Sequence, residues 1–170
     1  ALIQEAGEKD WWMLETPLPP CLIDYDSLEA AMAAKPDAAL IISHRLIDET
    51  TLLDNHVIYR PKSLVIGMGC NRGTSAEEVD TVIRETLQEL GLSIKSVKAL
   101  VTFELKSDEP CFHDITSKYD WQFKCYTKDE LNCQLVTEPS DTVFKYTGVY
   151  GVSEPAVRLY SGNDELLLVK

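Results

Sequence analysis

The chain has 170 residues, 45% of them apolar, and its 28 acidic against 16 basic residues give a formal charge of −12. That length holds one good core, or one domain and part of another. The acid excess argues against nucleic acid and anionic membranes as partners, and no apolar run approaches the ~20 residues of a membrane-spanning helix.

In chain order, "CLIDY" reads as a short strand. Asp26 or Ser27 is placed to cap a helix whose apolar face is Leu28, Ala31 and Met32. "AALIIS" (Ala38 to Ser43) has the length of a buried strand, and "VIYRP" is another strand, stopped by Pro61. "ETPLPP" (Glu15 to Pro20) reads as a loop. From Ser63 the pattern sharpens: "LVIGMG" is a strand. A helix follows over about Ala76 to Leu90, with Val79, Val82, Ile83, Leu87 and Leu90 as its apolar stripe. Ser75 with Glu78 suits a capping box, and Gly91 a C-terminal stop.

"VKALVTF" (Val97 to Phe103) is the next strand. A helix from about Glu109 to Tyr119 is expected to bury Phe112, Ile115 and Tyr119. "WQFKCY" is a third strand, and Thr127 caps a short helix "KDELNC". A loop, "TGVYGVSEP" (Thr147 to Pro155), leads into a helix opened by Ser153, and "ELLLVK" reads as a closing strand. Strands alternating with helices predict an α/β fold: a mixed, mostly parallel sheet flanked by helices. Residues 62–170 form its main domain, preceded by a partial α/β segment at 1–61. Sixty residues make a poor independent core, so that segment is expected to lean on something else. Trp11 and Trp12 are expected at a contact with a neighbouring domain.

Three stretches carry chemistry. Gly67-x-Gly69-x-x-x-Gly73 misses the dinucleotide spacing by one residue and lacks the Lys-Ser/Thr of a P-loop, so a nucleotide loop is disfavoured. What remains is a turn between a strand end and a helix start, where free amides suit a carboxylate or an oxyanion. Arg72, Thr74 and Ser75 add donors. The alternative is a tight turn with a capping serine. Cys70 lies in the same loop; a thiol near a helix start and an arginine is a candidate nucleophile, or a small buried side chain.

"TFELKSDEP" (Thr102 to Pro110) also follows a strand, which puts Glu104, Lys106, Asp108 and Glu109 at the same sheet edge. A carboxylate beside a lysine suits a general base with an oxyanion partner, though on sequence alone a solvated, helix-capping charge cluster is the stronger reading. Thr147 and Gly148, with the Ser153-Glu154-Pro155 helix start, form either a ligand-facing loop or a plain turn.

The five cysteines Cys21, Cys70, Cys111, Cys125 and Cys133 contain no C-x-x-C pair. An odd count without that spacing argues against a disulfide framework or zinc ribbon and for reduced thiols in the cytoplasm. His44, His56 and His113 form no H-x-x-x-H pair, so no metal held by protein ligands alone is expected. The sequence shows no starting Met and no basic n-region followed by an apolar h-region, so no signal peptide is read; opening at Ala1 in mid-flow, the chain is expected to be a piece of a longer protein.

"GMGCNRGTSAEE", "ELKSDEP", "TGVYGVSEPA" and "LLLVK", in that order, resemble the C-terminal domain of the CbiG/CobE family of cobalamin biosynthesis, over about Ser63 to Lys170. The segment ending in "YRP" resembles the middle region preceding that domain in CbiG. The resemblance implies hydrolytic opening of the ring-A δ-lactone of cobalt-precorrin-5A, with release of acetaldehyde and formation of cobalt-precorrin-5B. Beside that reaction, the residue reading makes Glu109 (or Asp108) the base, and Lys106 with loop amides the oxyanion site. Gly69, Cys70, Arg72, Gly73, Thr74, Ser75, Thr147 and Gly148 then meet the substrate. No cofactor is implied, because the cobalt arrives inside the substrate. Contact with an N-terminal domain or with other cobalamin-pathway enzymes is expected. The alternative within the family is a non-catalytic corrinoid-binding or carrier module.

Overall fold

The computed structural model describes residues 1–6 and 19–169. Trp11, Trp12 and most of the "ETPLPP" loop lie outside the described residues. The chain divides into two compact units: Ala1–Ser63 with Thr86–Ser96, and Leu64–Glu85 with Val97–Lys170.

The first unit is a four-stranded sheet in the order β2-β1-β3-β4, made of β1 (Leu2–Gln4), β2 (Asp24–Tyr25), β3 (Ala39–Ile42) and β4 (His56–Tyr59). All three pairings are parallel. Helix α1 (Leu28–Ala33) is capped by Ser27, whose hydroxyl accepts from Ala30 N at 3.1 Å. Its Ala31 packs into a core with Ile3, Ala39 and Ile41, bordered by Leu28, Met32 and Ile58. The extended φ of Ser27 lets its oxygen reach the first free amides, which decides between the two cap candidates.

The second unit is a three-stranded parallel sheet, β5-β6-β7, of β5 (Leu64–Gly67), β6 (Val97–Phe103) and β7 (Gln122–Tyr126). Helices α2 (Ala76–Glu89) and α3 (Pro110–Tyr119) follow β5 and β6; α4 (Lys128–Asn132), α5 (Asp141–Thr147) and α6 (Ser153–Ser161) follow β7. β6 is buried from Ala99 to Phe103 because it is central, and its alternate residues there face opposite sides of the sheet. Ala99, Val101 and Phe103 join Tyr126, Leu131, Val149 and Ala156 on the α6 side. Leu100 and Thr102 point the other way, and both are fully buried.

Gly67 sits where α6 crosses the end of β5. A Cβ there would collide with the Ser153 carbonyl oxygen and lie 2.6 Å from Val157 Cγ2.

Several sequence expectations are corrected. Val82 and Leu90 are exposed, because the buried stripe of α2 is the narrower i, i+4 row of Val79, Ile83 and Leu87. Tyr119 is half-buried and stacks on Trp121, with ring centroids 4.6 Å apart. "ELLLVK" forms no strand within the described residues; Leu167 and Leu168 are exposed. α5 and β1 are additional elements.

α2 and α3 are joined by a charge cluster. Asp80 accepts from Tyr119 Oη at 2.5 Å, Lys118 Nζ at 2.9 Å and Arg84 Nε at 3.0 Å. Burial pushes the Asp80 carboxyl up, but these three donors outweigh it and hold it down at about 2. A depressed folded value stabilises above the ordinary aspartate pKa and is lost as pH falls toward the folded one. Wild type should therefore exceed Asp80→Asn by about 2 kcal/mol above pH ~4, with the gap closing between pH ~4 and ~2. Urea unfolding across that pH range checks this; a constant gap contradicts it.

Candidate active site

The site is built at the carboxyl ends of β5 and β6. Thr102 Oγ1 donates to Met68 O at 2.7 Å, which fastens the glycine loop to the central strand. Met68 N in turn donates to Val101 O at 3.1 Å. Gly73 then turns the chain with φ +79°, a conformation that leaves its N–H free to point across the turn.

The acceptor of that N–H is Glu109. After β6 the chain makes one 3-10 turn, Glu104–Lys106, and enters α3 at Pro110. That turn brings Lys106 Nζ to 2.9 Å from Glu109 Oε1. Gly73 N donates to Glu109 Oε2 at 3.4 Å, and Arg72 NH1 stands 4.0 Å from Oε1. The Glu109 side chain is only 3% exposed. The hydrogen bond from Lys106 holds its carboxyl below the usual glutamate range, against the upward push of burial; the Gly73 amide and the Lys106 and Arg72 charges reinforce it. Asp108 is the opposite case: it is two-thirds exposed and paired at 3.4 Å with an equally exposed Arg72, whose NH2 also donates to Leu105 O.

The structure thus brings Arg72, Gly73, Lys106, Asp108 and Glu109 together with Cys70. The anion held by the glycine loop is the protein's own carboxylate. Thr74 and Ser75 are engaged locally: Thr74 Oγ1 donates to Asn71 O at 2.9 Å, and Ser75 Oγ accepts from Glu78 N at 3.1 Å as the cap of α2. Gly69 is exposed, with open space where a Cβ would stand. Thr147 and Gly148 are tied elsewhere. Thr147 closes α5, its hydroxyl donating to Val143 O at 2.7 Å; Gly148 caps that helix at φ +75°, and its carbonyl accepts from Asn132 Nδ2 at 3.1 Å. At the start of α4, Lys128 N donates to Glu104 Oε1 at 3.4 Å.

Cys70 is not the activated thiol that its loop position suggested. Burial first, then the Cys111 thiol, pushes it up to about 11, and the opposing pull of Lys106 is smaller. Cys111 Sγ lies 3.9 Å from Cys70 Sγ. Sequence reasoning gave Cys111 no role; its position in the first turn of α3, after Pro110, is the only local sign that it faces the loop. The hydroxyl of Thr102 is the other group that sequence reasoning missed, hidden in the apolar run of β6.

The site defines a class: a parallel α/β unit whose carboxyl edge holds a partly exposed lysine paired with a buried carboxylate. The family model "Cobalamin synthesis G C-terminus" matches residues 64–170, and the chain belongs to that family. It is 56% identical over 172 aligned positions to the cobalt-precorrin-5A hydrolase of Priestia megaterium, covering 100% of this chain and 46% of that protein. The chain therefore spans about half the length of that relative. A probable cobalt-precorrin-5A hydrolase of Methanocaldococcus jannaschii is 27% identical over 62% of this chain and 33% of its own length. Protein CobE of a Sinorhizobium species is 28% identical over 63% of this chain and 71% of its own length. The crystal structure of CobE, a protein of the cobalamin (vitamin B12) biosynthetic pathway, superposes with a TM-score of 0.52 at 26% identity, over 58% of this chain and 74% of that one.

Proposed function

We propose that the chain carries the lactone-opening site of a cobalt-precorrin-5A hydrolase in the anaerobic branch of cobalamin biosynthesis. The observation behind this is the Lys106–Glu109 pair, 2.9 Å long and closed from solvent on the carboxylate side, in a chain 56% identical throughout to a protein of that name.

In that reaction water adds to the ring-A lactone carbonyl. The acyl C–O bond breaks to give a carboxylate and a hydroxyl, and the two-carbon unit then leaves as acetaldehyde, giving cobalt-precorrin-5B. Glu109, ionised at any physiological pH, takes the proton of the attacking water. Because Lys106 masks Glu109 in the free protein, the lactone carbonyl must draw the ammonium to itself. Lys106 then stabilises the developing oxyanion, and the unmasked carboxylate faces the water. Asp108 has the exposure to serve as base in its place, but lacks the buried setting. Cys70 and Gly69 line the loop over which the macrocycle would lie. The cobalt is part of the substrate.

A chain of net charge −12 repels a polycarboxylate at long range. Arg72, two-thirds exposed beside Lys106, supplies the local cation for a side-chain carboxylate. Arg72→Gln should raise KM about tenfold and leave kcat within about twofold, as expected for an interaction equal in ground and transition states. A fall in kcat at unchanged KM would assign Arg72 to the chemical step instead.

The likeness to CobE, 71% of whose length is covered, favours one second reading: a corrinoid-binding module that does no chemistry itself. Docking against an N-terminal domain or another enzyme of the pathway belongs to either reading.

A further inference from the structure

Cys70, Glu109 and Cys111 converge beneath the glycine loop. Cys70 follows β5, Glu109 precedes α3 and Cys111 lies in its first turn. One ligand atom from each lies within 4.8 Å of the other two, and the two sulfurs are 3.9 Å apart. Two thiolates bound to one tetrahedral ion at about 2.3 Å stand roughly 3.8 Å apart, so the sulfurs already have the spacing of a shared ion. Cys111 and Glu109 are buried, at 2% and 3% exposed, while Cys70 is half-buried and gives access from the loop.

We infer that Cys70, Cys111 and Glu109 form a binding site for a thiophilic divalent cation of the zinc class, with its fourth position open. Each thiol releases its proton to solvent as its sulfur lone pair bonds the ion, and Glu109 contributes one carboxylate oxygen. Two thiolates and a carboxylate against a divalent ion leave one negative charge, which Lys106 neutralises from 2.9 Å. Lys106 and the Gly73 amide then act as outer-shell partners that orient the ligating carboxylate. The donor set is soft, which selects zinc, cadmium or cobalt(II) over magnesium or calcium.

Binding of the ion does not rest on the hydrolase reading. The two meet at one atom group: Glu109 cannot serve as ligand and as base together, so a loaded chain should lose acetaldehyde release.

The test uses the full chain with Cys21, Cys125 and Cys133 changed to Ser, leaving Cys70 and Cys111 as its thiols. The reduced protein is titrated anaerobically with Cd2+, following the thiolate-to-cadmium charge-transfer band and counting bound metal by equilibrium dialysis. One Cd2+ per chain is expected. Cys70→Ser and Cys111→Ser should each weaken binding more than about 100-fold, beyond the 10–100-fold cost of losing an outer-shell partner. Circular dichroism confirms folding; should the buried Cys111→Ser variant fail to fold, the half-buried Cys70→Ser variant carries the test. Absence of the band at stoichiometric Cd2+, or wild-type affinity in Cys70→Ser, overturns the inference. Because the readout is metal uptake, binding without turnover or turnover without binding separates this inference from the hydrolase reading.

Discussion

Glu109→Gln should cut acetaldehyde release from cobalt-precorrin-5A by about 10²- to 10⁴-fold, the usual contribution of a positioned general base. Gln keeps the shape of the side chain and still accepts the Gly73 N–H, so the loop keeps its anchor. What it loses is the charge that holds Lys106 and the lone pair that takes the proton. Far-UV circular dichroism should stay as in wild type, showing that the fold is retained. The pH profile supplies a second readout. Glu109 is held below the ordinary glutamate range by the Lys106 hydrogen bond, so the acid limb of kcat/KM should lie below that range. An acid limb near neutrality would point to another base, and a folded, fully active Glu109→Gln variant would remove Glu109 from the mechanism and leave Asp108 as the candidate.

The largest single effect on stability should come from the neighbouring strand end. Gly67→Ala places a Cβ against a backbone carbonyl, that of Ser153, and 2.6 Å from Val157 Cγ2. A flexible side-chain tip would yield cheaply, but the first turn of α6 moves only as a unit. Overpacking of this kind costs about 1–3 kcal/mol, and Tm should fall by roughly 2–4 °C for each kcal/mol in a chain of this length. Gly67→Val should do worse. Gly69→Ala is the control: a Cβ there meets open space, and Tm should hardly move. Equal losses at the two positions in thermal denaturation would contradict the close approach of α6 to β5.

What could be read from the chain follows from how local each signal is. β6 and α3 announce themselves through apolar runs and caps contained within their own residues, and both appear where expected within a residue. β1 is three residues long and exists because β2 and β3 flank it in parallel, a fact no window of sequence contains. α5 is short, with β-branched Thr and Val that weaken its helical signature, and its cap at Ser140 gives little warning. "ELLLVK" has strand composition, but composition supplies no neighbouring strand, and in the described residues it pairs with none.

The site divides in the same way. Lys106 and Glu109 are three residues apart, so their pairing was legible as a charge cluster. Gly73 reaches Glu109 from 36 residues away, and Cys70 reaches Cys111 from 41. Those contacts depend on β5 and β6 lying side by side, and spacing rules that look for C-x-x-C cannot see them. Thr147 and Gly148 share the site's sheet edge in the sequence pattern, and in the structure they form the last turn and cap of α5.

The most direct test of the central claim is turnover of cobalt-precorrin-5A by this 170-residue chain, following the tetrapyrrole spectrum and acetaldehyde together. The account predicts acetaldehyde release in step with the spectral change, abolished in Lys106→Met and Glu109→Gln. Tetrapyrrole binding without acetaldehyde would contradict it and make this chain a corrinoid holder.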